Sequence, residues 1–192
     1  MLILASKSPR RRELLTMLGL EFEVCTADID ETMDTACPIA QAVEQVSRRK
    51  AEAVGAKHPG DLIIAADTAV VLDREILGKP HSKEEAAQML RRLSGKEHTV
   101  MTAFCLYRDG NTESHVEQTA VRFKTLSDRE IDAYIKTGSP MDKAGAYGIQ
   151  DAAAVFIRSI KGDYYNVMGL PLCALTRCLR CWGVPVLGTV EP

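Results

Sequence analysis

Leu62-Ile63-Ile64-Ala65-Ala66-Asp67-Thr68-Ala69-Val70-Val71 is the most hydrophobic stretch of the chain, interrupted by one carboxylate, Asp67. A short apolar run bounded by turn residues reads as a buried central strand, and the rest of the chain arranges itself around it. Downstream, Asp73-Arg74 turns the chain into a short strand ending at Gly78. Upstream, Leu2 to Ala5 is a second buried strand. Ser8 then caps a helix and Pro9 suits its first turn, where a missing N–H costs nothing. Leu14, Leu15 and Leu18 give that helix an apolar stripe before Gly19 stops it. Glu21 to Cys25 resumes as strand and runs into the acidic loop Asp28-Ile29-Asp30-Glu31. A long helix from Pro38 to Lys57 follows, with apolar positions at Ile39, Val43, Val46 and Ala53.

Beyond Gly78 the signals continue to alternate. Ser82 with Glu85 forms a capping box for a helix to Leu93, and Ser127 with Glu130 forms another for a helix ending near Gly138. Glu97 to Tyr107 and Ser114 to Lys124 read as antiparallel strands across the Asp109-Gly110-Asn111 turn. The segment from Ser139 to Gln150 reads as a loop, and Ala153 to Ile160 as a strand. Gly162 marks a turn, and Pro171 to Trp182 is a final helix closed by Gly183. The pattern is α/β with a mixed sheet, without repeat, low-complexity tract or linker.

Hydrophobic residues make up 46% and charged residues 26% of 192 residues, an ordinary globular composition. A net charge of −2 gives no bulk attraction to nucleic acid or to acidic membranes. Any anionic ligand must be held by a local cluster of donors. No apolar run is long enough to cross a bilayer. Met1 to Ala5 enters a strand with no charged n-region, so the expected location is the cytoplasm. Of six cysteines only Cys178 and Cys181 form a CxxC, near a helix C-terminus where a thiolate gains nothing from the dipole. They read as small hydrophobes.

Two places carry chemistry. In Ser6-Lys7-Ser8-Pro9-Arg10-Arg11-Arg12, a strand feeds a helix N-terminus rich in hydroxyls and cations. Cations there oppose the helix dipole, which makes more sense if a phosphate sits between them and the free N–H groups. The plainer alternative is a solvated basic turn. The other place is Asp67, because a carboxylate in a central strand is costly unless paired or bound to metal. Accepting hydrogen bonds from a neighbouring turn would also satisfy it. Glu31 could add a second oxygen ligand for magnesium or manganese, ions that take few carboxylates and fill their shell with water and phosphate. Lys50 and Lys79 would ordinarily be surface charges, although Lys79 lies in Gly78-Lys79-Pro80 beside the end of the Asp67 hairpin. Gly145-Ala146-Tyr147-Gly148-Ile149-Gln150 could set backbone groups and an amide against a base edge.

Taken in order, these segments resemble the Maf-like nucleotide pyrophosphatases. The resemblance rests on Ala5-Ser6-Lys7-Ser8-Pro9-Arg10-Arg11, Asp30-Glu31, Lys50-Ala51, Ala66-Asp67-Thr68, Gly78-Lys79-Pro80 and Leu93-Ser94-Gly95. It continues through Asp142 to Gln150 and through Val167-Met168-Gly169-Leu170-Pro171, leaving only the cysteine-rich last helix outside. The family implies a single domain over residues 1–192 with an elongated, two-lobed α/β fold, a twisted mixed sheet and a central cleft. It implies hydrolysis of a nucleoside triphosphate between its α and β phosphates with a divalent metal, Mg2+ or Mn2+, and a homodimer. By the resemblance Asp67 is the catalytic base position, and the acidic loop makes Glu31, with Asp67, the expected metal ligands. Ser6, Ser8, Arg10, Arg11, Lys50 and Lys79 meet the phosphates. Arg11, Thr68 and Gln150 choose the base. The markers Ser-Pro-Arg-Arg, Ala-Asp-Thr and Gly-Ile-Gln match the branch acting on dTTP and UTP, with modified pyrimidine nucleotides as further candidates and a link to cell-division arrest. A non-catalytic nucleotide-binding regulator would keep the cations but need no carboxylate in the strand. A nucleic-acid-binding module is disfavoured by the acidic balance and 5% aromatics.

Overall fold

The computed structural model describes residues 1–34 and 36–188. Its seven strands form a mixed sheet: β1 (Leu2–Leu4), β2 (Glu23–Val24), β3 (Leu62–Leu72), β4 (Glu75–Leu77), β5 (Glu97–Arg108), β6 (Asn111–Phe123) and β7 (Ile157–Lys161). The order is β2-β1-β3-β5-β6-β7, with β4 also paired to β3. β1 lies parallel to both β2 and β3, with Leu2, Ile3 and Leu4 opposite Leu62, Ile63 and Ile64. β4 and β7 run antiparallel to β3 and β6. The helices are α1 (Pro9–Met17), α2 (Ile39–Gly55), α3 (Lys83–Leu93), α4 (Asp128–Lys136), α5 (Tyr164–Met168) and α6 (Leu172–Cys181). None of the described helices is long and apolar enough to cross a membrane.

The chain forms two compact units. Unit 1 comprises Met1–Asp67, Thr102–Glu117 and the described residues from Gly169 onward; unit 2 comprises Thr68–Met101 and Gln118–Met168. In unit 1, Ile3, Ile63, Ala65, Ala51, Val54 and Cys105 pack as one apolar cluster. Gly55 ends α2 against Tyr107, where an added Cβ would lie 2.1 Å from the ring. In unit 2, Val70, Leu90, Leu93, Phe123, Tyr134 and Phe156 belong to a larger cluster.

Local chemistry explains most boundaries. Ser8 caps α1 with Pro9 in its first turn, and Ser127 with Glu130 forms a complete capping box on α4. On α3 the box is only half formed. Ser82 accepts from the Glu85 N–H, but the Glu85 carboxylate accepts from His81 rather than from the cap residue. Both two-residue hairpin turns, Asp73-Arg74 and Asp109-Gly110, have positive φ at each position, the twist that a tight antiparallel connection needs.

The structure corrects the sequence reading in four further places. The strand expected from Ala153 to Ile160 begins only at Ile157, since residues 152–156 form a 3-10 turn. The Asp151 carboxylate accepts from the Ala153 N–H and winds the chain there. β2 is shorter than Glu21 to Cys25, although Cys25 still donates to the Leu4 carbonyl. Ile39 and Ala53 are half-buried, while Ala42, Ala51 and Val54 join Val43 and Val46 on the inner face of α2. The short helix α5 was not anticipated; the Asp163 carboxylate caps it through the Tyr165 N–H. Burial and Glu113 push the Cys178 thiol up to about 12, which disfavours its thiolate.

His98, 3% exposed in unit 2, makes stability pH-dependent. Its Nε2 lies 2.7 Å from the Tyr147 hydroxyl and its ring meets Phe123 and Tyr147 edge to face. Burial lowers its pKa to about 4, against about 6.5 in the unfolded chain. Between these values the unfolded state binds a proton that the folded state refuses, so stability falls as pH drops through the window. About 2–3 kcal/mol should be lost between pH 7 and pH 4.5 on this account. Urea melts of the wild type and His98→Gln at both pH values test it, with the variant losing less.

Candidate active site

The centre of unit 1 is built from β1, α1, α2 and the first half of β3. α2 carries Val43, Val46, Ser47, Ala51 and Val54 on its buried side, and helical spacing puts Lys50 beside them. A cation there needs a partner, and Lys50 has two. Its Nζ donates to Asp67 Oδ1 at 2.7 Å and to Glu31 Oε2 at 2.9 Å. The Lys50 and Asp67 side chains are each 13% exposed, whereas Glu31 is 61% exposed. The adjacent Arg49 donates to the Thr32 carbonyl at 2.7 Å, so two successive α2 residues hold the acidic loop. Within that loop the Thr32 side chain and backbone hold the Asp30 carboxyl below its usual range.

The β1–α1 turn supplies the positive pole. Arg11 is buried at 9% exposure, on the same helical face as Leu14 and Leu15. Its Nε donates to the Gly169 carbonyl at 2.8 Å and its Nη1 to Ser6 Oγ at 3.2 Å. Burial lowers the Arg11 pKa, and the Asp67 and Glu31 carboxylates oppose that shift while Arg10 adds to it. The guanidinium stays charged regardless. Ser6, itself 8% exposed, accepts from both Arg11 and the Ser8 N–H at 3.2 Å. With both lone pairs engaged, the Ser6 hydroxyl has its proton left to donate. Ser8 Oγ accepts from the Arg11 N–H at 3.5 Å, which leaves its O–H as a donor too.

Seven sequence-read residues therefore fall in unit 1: Ser6, Ser8, Arg10, Arg11, Glu31, Lys50 and Asp67. The structure joins Glu31, Lys50 and Asp67 in one ion-paired group, and Ser6 to Arg11. Thr68, Lys79 and Gln150 belong to unit 2, whose boundary falls at the Asp67–Thr68 peptide bond. Lys79 is exposed and Thr68 half-buried. Gln150 Oε1 is shut away from solvent with no hydrogen-bond partner among the described residues.

Two features escaped the sequence reading. Lys50 is a clasp between carboxylates, a role signalled by its place on the apolar stripe of α2. Arg11 is anchored to the Gly169 carbonyl, as its spacing from Leu14 and Leu15 could have suggested.

No group of three or more His, Cys, Asp or Glu side chains with metal-holding geometry exists among the described residues. Asp67 and Glu31 nevertheless both aim an oxygen at one ammonium. That donor set fits magnesium, which binds through one or two carboxylates and completes its shell from water and phosphate.

Fold and charges together define a mixed α/β protein with a hydroxyl- and cation-bearing β1–α1 turn and a Lys50-bridged pair of carboxylates in one unit. The sequence model of Maf-like proteins matches residues 1–182. A dTTP/UTP pyrophosphatase of Halalkalibacterium halodurans is 50% identical over 182 residues, 95% of this chain and 96% of that protein. Another from Symbiobacterium thermophilum is 50% identical over 185 residues, 96% of this chain and 95% of that one. A solved HAM1 protein from Coxiella burnetii has a similar fold, with a TM-score of 0.53 and 16% identity over 93% of this chain and 97% of its own. The chain belongs to the Maf-like family.

Proposed function

We propose that the protein is a nucleoside triphosphate pyrophosphatase that hydrolyses dTTP and UTP to the monophosphate and pyrophosphate, acting as one domain over residues 1–192. The observation that carries this reading is the Lys50 ammonium held between the Asp67 and Glu31 carboxylates. It gathers a proton acceptor, a cation and a second acidic ligand in one place. The two relatives at 50% identity, both dTTP/UTP pyrophosphatases, support the substrate class.

In this mechanism water attacks the phosphorus on one side of the α–β bridge. A new P–O bond forms, the bond to the bridging oxygen breaks, and that oxygen leaves with the phosphate group that was not attacked, giving monophosphate and pyrophosphate in either case. Asp67 takes the proton of the attacking water or holds the divalent ion; one carboxylate can serve both roles. Glu31 shares the hold on that ion, Mg2+ or Mn2+, which when bound would act as a Lewis acid toward the phosphates. The Ser6 and Ser8 hydroxyls, Arg10, Arg11, Lys50 and Lys79 offset phosphate charge. A preorganised cluster of this kind lowers the barrier because it needs no rearrangement as charge develops.

Arg11, Thr68 and Gln150 choose the base. Thymine and uracil present an N3–H donor between two carbonyl acceptors, an edge that the Gln150 amide, with one acceptor and two donors, can match. Cytosine offers no donor at N3, and a purine brings a larger ring. A buried mismatch costs about 1–3 kcal/mol, roughly 5- to 150-fold. Modified pyrimidine nucleotides, a role in cell-division arrest, a cytoplasmic location and a homodimer complete the proposal.

Phosphorus NMR with a nucleotide panel and a divalent ion tests it. Monophosphate plus pyrophosphate is expected, with dTTP and UTP cleaved faster than CTP, dATP or dGTP. Diphosphate plus orthophosphate would mark a different hydrolase, and a preference for GTP would mean that the base-choosing residues act otherwise.

A further inference from the structure

Gln150 lies in a four-residue turn whose ends are tied by a single group. The Tyr134 hydroxyl, on the buried face of α4, accepts from the Gly148 N–H at 3.3 Å. The same hydroxyl donates toward the Asp151 carboxylate, 3.1 Å from each oxygen. Gly148 and Asp151 flank Ile149-Gln150, and the Asp151 N–H closes the turn onto the Gly148 carbonyl at 3.3 Å.

Asp151 is itself held from three further directions. Ser139 Oγ donates to its Oδ2 at 2.8 Å, the Ala153 N–H donates to Oδ1 at 2.8 Å, and Lys143 Nζ stands 3.7 Å from Oδ2. Lys143, 8% exposed, is tied down in turn by the Ser139 carbonyl and Asp142, each at 2.6 Å. A Cβ on Gly148 would lie 2.7 Å from Asp151 Oδ2 and 2.8 Å from Lys143 Cε, so glycine lets the clasp close. Burial and the Asp151 charge raise the Tyr134 pKa, so the hydroxyl keeps the proton it donates.

A turn carrying a base-reading amide would otherwise spend binding free energy on ordering itself. Here the ordering is already done, because both ends of the turn are tied before any ligand arrives. We propose that Tyr134 is a positioning residue for base selection: its hydroxyl bridges Gly148 and Asp151 and so sets the orientation of Gln150 toward the pyrimidine edge. This rests on the reading of Gln150 as a base-choosing residue.

Tyr134→Phe is the test, because it removes the bridging oxygen while keeping the ring that meets Phe156 edge to face at 5.4 Å. We expect KM for dTTP and UTP to rise about tenfold, the scale of one hydrogen bond, with kcat at saturation within about twofold. The preference for dTTP over CTP in kcat/KM should fall by about the same tenfold. Gln150→Ala is measured alongside. If Gln150→Ala loses the preference and Tyr134→Phe keeps it, the positioning role is wrong and the base reading stands. If Gln150→Ala itself keeps the preference, the base reading fails and the positioning role fails with it. A Tyr134→Phe variant that lowers kcat/KM equally for dTTP and CTP, alongside a lower melting temperature, has only a structural residue at 134. That result also overturns the proposal.

Discussion

Asp67→Asn is expected to lower turnover of dTTP by at least ~100-fold, the lower range for loss of a general base, with the fold intact. The substitution suits its position. Asp67 lies in β3 with 9% exposure, and one of its oxygens accepts from Lys50 at 2.7 Å. Asparagine has nearly the same shape, and its carbonyl oxygen can accept the same bond. What it cannot do is take a proton from water or lend negative charge to a divalent ion. Loss of rate therefore reports chemistry rather than collapse. Initial rates at a common Mg2+ concentration, with circular dichroism and a thermal melt beside them, make the comparison. Near-normal turnover in a folded variant would remove Asp67 from the mechanism.

Where the fold was legible, it was legible because local and tertiary demands agreed. The run Leu62 to Val71 had one reading as a buried strand, and Ser8-Pro9 and Ser127-Glu130 announced their helices through capping chemistry that depends only on neighbours. Local signals failed where a distant or competing group intervened. His81 took the Glu85 carboxylate from the α3 cap. Asp151 wound residues 152–156 into a 3-10 turn, and the three alanines there offer little strand preference to oppose it. The site divides in the same way. Asp67 was conspicuous because an isolated carboxylate in an apolar strand is costly, and Arg11 because it stands at a helix N-terminus. The partnership of Lys50 with Glu31 and Asp67 joins residues 19 and 17 positions apart, and no local pattern encodes such a pairing. Only the stripe Val43, Val46, Lys50, Val54 hinted that the lysine would be turned inward. The clasp around Gln150 was less legible still, since Tyr134 looks like any apolar residue on the inner face of α4.

Lys50→Met tests the other half of the centre. Methionine matches lysine in length, keeps a good helix former in α2 and can fill the space of the aliphatic stem. The change therefore isolates the ammonium. In the wild type that group sits within 3 Å of two carboxylates; without it Asp67 and Glu31 face each other with like charge. Losing one partner of a well-buried pair costs about 3–5 kcal/mol, and the solvent around Glu31, 61% exposed, reduces that figure here. A lower melting temperature is expected at neutral pH. Activity should fall further than stability, because the same ammonium offsets phosphate charge. A charge-assisted hydrogen bond is worth about 1.5–3 kcal/mol, so kcat/KM for dTTP should drop about 10- to 100-fold. Pairing the change with Glu31→Gln separates the two effects. The double variant carries one fewer carboxylate in the cluster and should regain part of the lost melting temperature, whereas activity should stay low, since neither the cation nor the second acidic ligand is restored. Recovery of activity together with stability would mean that Lys50 serves only to hold the fold, and the phosphate role would then rest on Arg10, Arg11 and the two serines of the first turn.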